Sequence, residues 1–356
     1  MRLDAPPPEA LVHQETVAAI TLGGRVLASG IPVVAGRVAI QADQDVPQTV
    51  DLTLPHEWEQ YVLDPTRPGA VLGHYGHRIH LTMTLTEGAR SWVLPMSQYL
   101  VQEWDLDGAG VRVRAAGLLA LTRGHQAAVP QPVGSRSLAV SVLAQILRED
   151  RLDTIVEPGL PRTQVGAEFV IDADRFATAQ TLAAAIPAVI RQDWDGAIHI
   201  KPVPSDSLTP VLEWTDGVDG TVITPARSGS RDGLFSEVIV HWTAGEGDDE
   251  TSGYVQRQIT TGALAPGAFG TVTRRIESDA ISSHPQAQLI AANEIARAHL
   301  RARTEEVTMA ADFRAELDDP VALTVAGETV VGRITGIEYP LTPGDGDMAL
   351  TVGVPA

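Results

Sequence analysis

Three histidines, His74, His77 and His80, stand at even three-residue spacing in LGHYGHRIHLTM (residues 72–83), and imidazoles are common ligands of transition metals. The residues around them argue against a shared ion. Ile79, Leu81, Met83 and Leu85 alternate with His80, Thr82 and Thr84, which predicts a strand with one apolar face. Extended back through Gly76, that strand places His74 and His80 on one face about 20 Å apart, against metal–ligand bonds of about 2 Å. Only a turn at Gly73 or Gly76 would bring them together, so no metal ligand is assigned.

The other chemical motifs are fragments. HEWEQ (56–60) opens like a zinc-protease helix but has Gln60 where the second histidine is needed, and it follows Pro55. Gly-x-Gly occurs at 108–110, 245–247 and 344–346; none completes a dinucleotide fingerprint, and no Gly-Lys-Ser/Thr exists. There is no Gly-x-Ser-x-Gly elbow. DLDG (105–108) and DWDG (193–196) start like calcium loops but lack the later carboxylates, and Asp-Gly between alternating strands marks a hairpin turn. A carboxylate pair for glycoside hydrolysis has no fixed sequence spacing, so it is neither identified nor ruled out. No catalytic, cofactor-binding or metal residue is assigned, and the chain is read as a non-enzyme.

Composition narrows the class. Cys is absent, which removes disulfides, thiolate catalysis and Cys-based metal sites. Gly (32) and Pro (24) are abundant enough to suggest many turns, hence a β-rich chain of 356 residues in more than one domain. No apolar run is long enough to span a bilayer, and MRLDAPPPEA lacks a secretory h-region. The 45 acidic residues outweigh 26 basic ones, of which only Lys201 is a lysine, giving a formal charge of −19. Such a chain repels a phosphate backbone, so specific nucleic-acid binding is not expected.

After an N-terminal arm (1–14), short strand-like runs bounded by Gly, Pro or Asp fill 15–125, a first β domain opened by a hairpin at Gly23–Gly24. Residues 126–205 read as an α+β insertion. It contains a helix at 137–150 with a serine-rich start and Ala139, Val142, Leu143 and Ile146 on one face, a second helix at 172–186, and a hairpin at Asp195–Gly196. A connector (206–234) precedes a second β domain (235–356), which includes the strand FSEVIVHWTAG, the acidic loop GEGDDETSG and one helix (284–303) with the stripe Leu289, Ala292, Ala296 and Leu300. The stretches 77–116 and 319–355 share a rhythm of strand, turn, strand, Asp/Gly turn and alternating strand, suggestive of a duplicated β unit.

This layout resembles the tail-hub (baseplate hub) family of long-tailed bacteriophages over nearly the whole chain. The local patterns that carry the resemblance are RFATAQTLAAAI and WDGAIHIKPVP (within 175–204), SEVIVHW (236–242), the helix SHPQAQLIAANEIARAHLRAR and the closing VVGRITGIEYPLTPGDGDMALTVGVP. No short invariant motif fixes it, and LDDPVALTV departs from the Gly-Asp usual before the last hairpin. The resemblance implies a mainly β chain with an α+β insertion, in which two tube-like β-barrel domains flank the insertion. It implies a homotrimer forming a pseudo-sixfold ring, with a tail-tube or distal tail ring, the C-terminus of the tape-measure protein and tail-tip or fibre proteins as partners. DNA would pass through the lumen without specific binding, and the protein would sit at the distal tip of the virion tail after synthesis in the host cytoplasm. The acidity of the chain adds an expectation that carboxylates line the lumen. Two alternatives stay open: a tail-tip glycan or peptidoglycan hydrolase, and a carbohydrate-binding β protein.

Overall fold

Gly23 and Gly24 both adopt left-handed φ angles, 58° and 81°, which lets a two-residue turn reverse the chain between β1 (His13–Leu22) and β2 (Arg25–Pro32). The computed structural model describes the chain except for residues 8–12, 109, 135, 167–168, 205–206, 218–219, 232, 245–249, 302 and 356. The first acidic residues of the GEGDDETSG loop and the centre of the 108–110 Gly-x-Gly therefore lie outside the described residues. The N-terminal third continues with β3 (Ala35–Gln41), β4 (Gln48–Leu54), the short β5 (Glu57–Trp58) and β6 (Tyr61–Val62), then β7 (Arg78–Glu87), β8 (Arg90–Leu106) and β9 (Val111–Gly117). The middle holds α1 (Leu119–Gly124), β10 (Gln131–Pro132), α2 (Ala139–Glu149), β11 (Thr154–Val156), β12 (Val170–Ile171), α3 (Arg175–Ala185), β13 (Ala188–Gln192) and β14 (Ile198–Pro202). The remainder supplies β15 (Leu212–Thr215), β16 (Val222–Ser228), β17 (Glu237–Ala244), β18 (Thr251–Gln258), α4 (Pro266–Phe269), β19 (Thr273–Ile276) and α5 (His284–Arg301). It ends with β20 (Arg303–Met309), β21 (Pro320–Val325), β22 (Glu328–Pro340) and β23 (Met348–Val354).

The chain is mainly β with smaller helical parts, the class expected from sequence. Among the described residues, thirteen strands join in one sheet along the order β16-β20-β23-β22-β3-β4-β9-β8-β7-β1-β2, with β21 on β22 and β15 on β21. The sheet has two lobes of matching order, β3-β4-β9-β8-β7-β1 and β16-β20-β23-β22-β21-β15. Their central meanders, β7-β8-β9 and β21-β22-β23, are the two stretches whose rhythm recurs in the sequence. The lobes differ at the last strand: β1 pairs antiparallel with β7, whereas β15 pairs parallel with β21. Both share one apolar cluster, including Ile20, Leu52, Ile79, Met83, Leu323, Ile337 and Leu350.

A second cluster lies among the helices. Helix α2 buries Ala139, Val142, Leu143 and Ile146 as its periodicity predicts, but Leu138 occupies its N-cap with no side-chain hydrogen bond. The expected serine cap is replaced by tertiary pairing, since the Ala139 N–H donates to the Thr163 carbonyl. In α3, Asp174 caps by accepting from the Ala177 N–H at 2.8 Å. Strand β9 stops at Gly117 and the chain turns into α1, where the Leu118 N–H donates to the Gln192 side chain.

Two further readings shift. The 206–234 stretch carries β15 and β16, both paired into the large sheet. Strands β17, β18 and β19 form a separate three-stranded sheet, and Val238, Val240 and Val255 pack in the helical cluster. Helix α5 covers that sheet with Ala287, Ile290, Ala291 and Ala298, while Leu289 of the expected stripe is 43% exposed. The buried face is rotated from the expected stripe, with Ile290 and Ala291 inside and Ala292 and Ala296 only half-buried.

Arg175 is buried, and its guanidinium pairs with Glu149 and donates to the Ile146 carbonyl, tying α3 to α2. Hydrogen bonding from Gln145, helped by Arg175, holds the Glu149 carboxyl below its usual range. Its stabilising contribution is present above pH 4.5, the unfolded-state value, and is lost as pH falls through the lower folded value. Acid unfolding followed by helical circular dichroism is expected to lose this increment in Glu149→Gln, giving a shallower pH dependence below pH 4.5 than the parent.

Candidate assembly surface

The histidines do not form a centre. A bend places Gly76 at φ 87°, and β7 starts only at Arg78, so the turn needed to bring the rings together exists. His74 and His80 are nonetheless engaged separately. His74 accepts from the Trp104 indole N–H at 3.1 Å, and His80 hydrogen-bonds Thr21 at 3.0 Å. His77 is buried; desolvation, with the neighbouring His74, lowers its pKa. Among the described residues no group of three His, Asp or Glu side chains is placed to hold a metal ion.

DLDG and DWDG are hairpin turns. Asp107 closes the β8–β9 turn by accepting from the Gly110 N–H, and Gly196 takes φ 93° between β13 and β14. A cleft of about 870 Å³ lies between the helices and the sheet, but its Arg191 is paired with Asp318 at 3.1 Å and Arg333 donates to the Asp318 carbonyl. These cations serve structure.

What the sheet does present is a joint and two edges. The joint is β22 against β3, pairing Gly336 with Gln41, Ile337 with Ile40, Glu338 with Ala39, Tyr339 with Val38 and Pro340 with Arg37. It makes an eight-strand ribbon, β8-β9-β4-β3-β22-β23-β20-β16, across both lobes. One face of the ribbon packs on the core. The directly opposed residues of the other face include five carboxylates, Asp51, Glu103, Asp105, Glu306 and Glu338, and three arginines, Arg37, Arg112 and Arg114. Arg112 pairs with Asp51 at 2.8 Å and Arg114 with Glu103 at 2.7 Å, which leaves this face net acidic. Sequence reading missed the joint; the repeated rhythm of 77–116 and 319–355 was its only trace.

No family model matches the sequence, and no curated protein matches it. Solved structures do. The tail protein from Neisseria meningitidis MC58 superposes with a TM-score of 0.63 over 95% of this chain and 96% of its own, at 12% identity. The fold is that of a phage tail protein. The prophage tail protein gp18 from Listeria monocytogenes EGD-e (TM-score 0.58, 7% identity, 95% and 94% coverage) has the same fold. So does the 43 kDa tail protein of prophage MuSo2 from Shewanella oneidensis (TM-score 0.56, 13% identity, 94% and 98% coverage). These similarities extend over essentially full chains, so the fold matches as a whole and not through one lobe.

Proposed function

We propose that this chain is a structural, non-enzymatic tail protein that assembles as a homotrimer, a hub at the distal end of a phage tail tube. One observation carries the reading: two lobes of the same strand order lie side by side in one sheet. Two similar lobes per chain are what a threefold assembly needs to present six similar units to a hexameric tube. On this reading the partners are a tail-tube or distal tail ring on one side, tail-tip or fibre proteins on the other, and the end of a tape-measure protein in the lumen.

The charged ribbon face supports a lining role. Asp51 and Glu306 hold equivalent places in the two lobes, as do Asp105 and Glu338. In a pseudo-sixfold ring each pair generates a circle of carboxylates that repels the phosphate backbone and lets DNA slide. The test is solution mass by sedimentation together with negative-stain imaging. A trimeric ring is expected. A monomer that cleaves peptidoglycan, or that binds glycan, would overturn the proposal.

A further inference from the structure

The two lobes use very different lengths of chain for one equivalent connection. By strand order, β4 and β7 of the first lobe match β20 and β21 of the second. The second lobe makes the passage in the ten residues 310–319, whose Asp312, Phe313 and Ala315 are all buried. The first lobe uses the 23 residues 55–77 and folds part of them into the β5–β6 hairpin. The lobe fold does not require the extra chain, so the side chains it exposes are free to serve something else.

That extra chain is built, not loose. Leu63 and Leu72 are buried in the sheet core, and the Val71 N–H donates to the Val62 carbonyl at 2.9 Å. The Asp64 carboxylate accepts from the Thr66 N–H and hydroxyl at 2.9 and 2.7 Å, and Arg67 pairs with Glu57. On this frame Tyr75 is 78% exposed, the most exposed aromatic among the described residues. Its ring lies 4.1 Å from that of His74, which the Trp104 indole holds in turn. Leu22 and Val26 of the first hairpin are also exposed, and Leu22 approaches Gly76, so the apolar patch continues past Tyr75. Trp58 is exposed on the β5–β6 hairpin, and Glu59 at its turn takes φ 51°, a left-handed angle that suits glycine and strains glutamate. A carboxylate kept there against backbone strain marks a position where the charge matters more than the turn.

We propose that loop 55–77 is a docking knob for a different protein of the assembly, one that offers an apolar pocket to Tyr75 and a basic side chain to Glu59. Exposed aromatics already fixed in place are what interface hot spots are made of, because little ordering remains to be done on binding. Glu57 is neutralised by Arg67, so the charge that selects the partner is that of Glu59. Leu22 and Val26 beside Tyr75 favour a protein over a glycan, since aliphatic side chains offer sugar hydroxyls no hydrogen bond. The second lobe has no such knob, so each chain takes one partner subunit, where a surface shared by both lobes would take two. That the partner is a neighbouring tail protein rests on the reading above; the knob itself does not.

The test mixes the full chain with the purified product of each gene adjacent to its own and measures affinity and stoichiometry by sedimentation. One of these products is expected to bind with one subunit per chain. Tyr75→Ser is expected to weaken that binding about thirtyfold, the loss of a hot-spot aromatic, with the thermal midpoint unchanged because the ring is exposed. Glu59→Gly separates binding from folding: it relieves the left-handed strain, so the midpoint does not fall, while affinity for the partner does. A partner that binds Tyr75→Ser and Trp58→Ser as tightly as the parent, or that binds two per chain, overturns the proposal. So does a parent chain that binds neither product, or a peptidoglycan fragment that binds the parent and is lost in Tyr75→Ser. A monomeric parent whose partner is lost in Tyr75→Ser overturns the ring reading and leaves the knob standing. A trimeric ring that binds neither product does the reverse.

Discussion

Replacing Tyr339 by alanine is expected to lower the unfolding free energy by about 4 kcal/mol, the range for deleting a large buried aromatic. Tyr339 is 1% exposed at the joint between the lobes. Its ring stacks on Phe313 at 5.5 Å between centroids and meets Trp194 edge-on at 5.7 Å, and its hydroxyl donates to the Ala315 carbonyl. Trp194 reaches in from the β13–β14 turn and carries the Arg2 guanidinium 4.7 Å above its ring. One side chain therefore packs the joint, the insertion and the N-terminal arm together. Urea unfolding followed by tryptophan fluorescence measures the loss. Tyr339→Phe keeps the ring contacts and leaves one carbonyl without its donor, so about 1 kcal/mol is expected. An alanine variant with an unchanged midpoint would mean that the joint is held elsewhere.

The elements of this fold are legible in the sequence wherever side-chain period decides them. Alternation in 78–85 marks β7, the spacing of Val142, Leu143 and Ile146 marks α2, and Gly23–Gly24 marks the first hairpin. Alternation reports that one face of a strand is buried, but not against what. Val238 and Val240 alternate like barrel residues yet pack among helices, which is why β17 reads as part of the second β domain. The stripe of α5 is misread for a related reason: apolar residues stand on more than one side of the helix, so spacing alone does not choose the face carrying Ala287, Ile290, Ala291 and Ala298 over the one carrying Leu289 and Ala292. The serine cap of α2 fails because a carbonyl 24 residues away, that of Thr163, takes the Ala139 N–H. The joint is hidden most deeply. It pairs Ile40 with Ile337, a contact that local pattern does not encode, and only the repeated three-strand rhythm hints that such a joint exists.

Asp312→Ala is expected to cost about 3 kcal/mol, as for removing one partner of a buried charged network. Asp312 is fully buried, accepts from the Trp214 indole N–H at 3.0 Å, and binds the Arg314 guanidinium at 2.9 and 2.8 Å. Trp214 lies in β15, so the carboxylate fastens that strand to the segment between β20 and β21. Asp312→Asn keeps an acceptor for the indole and is expected to cost about 1–2 kcal/mol. Hydrogen exchange in Asp312→Ala should show Leu212–Thr215 losing protection ahead of β22 and β23. The two sites are also coupled. Tyr339 grips Phe313 and Ala315, one and three residues after Asp312, so both variants release the same short segment. Once one grip is gone, the other holds a segment already loosened, and the double variant is expected to lose less than the sum of the singles. Full additivity in that cycle would mean that 312–315 is not a shared clamp and that the two lobes are locked together by independent contacts.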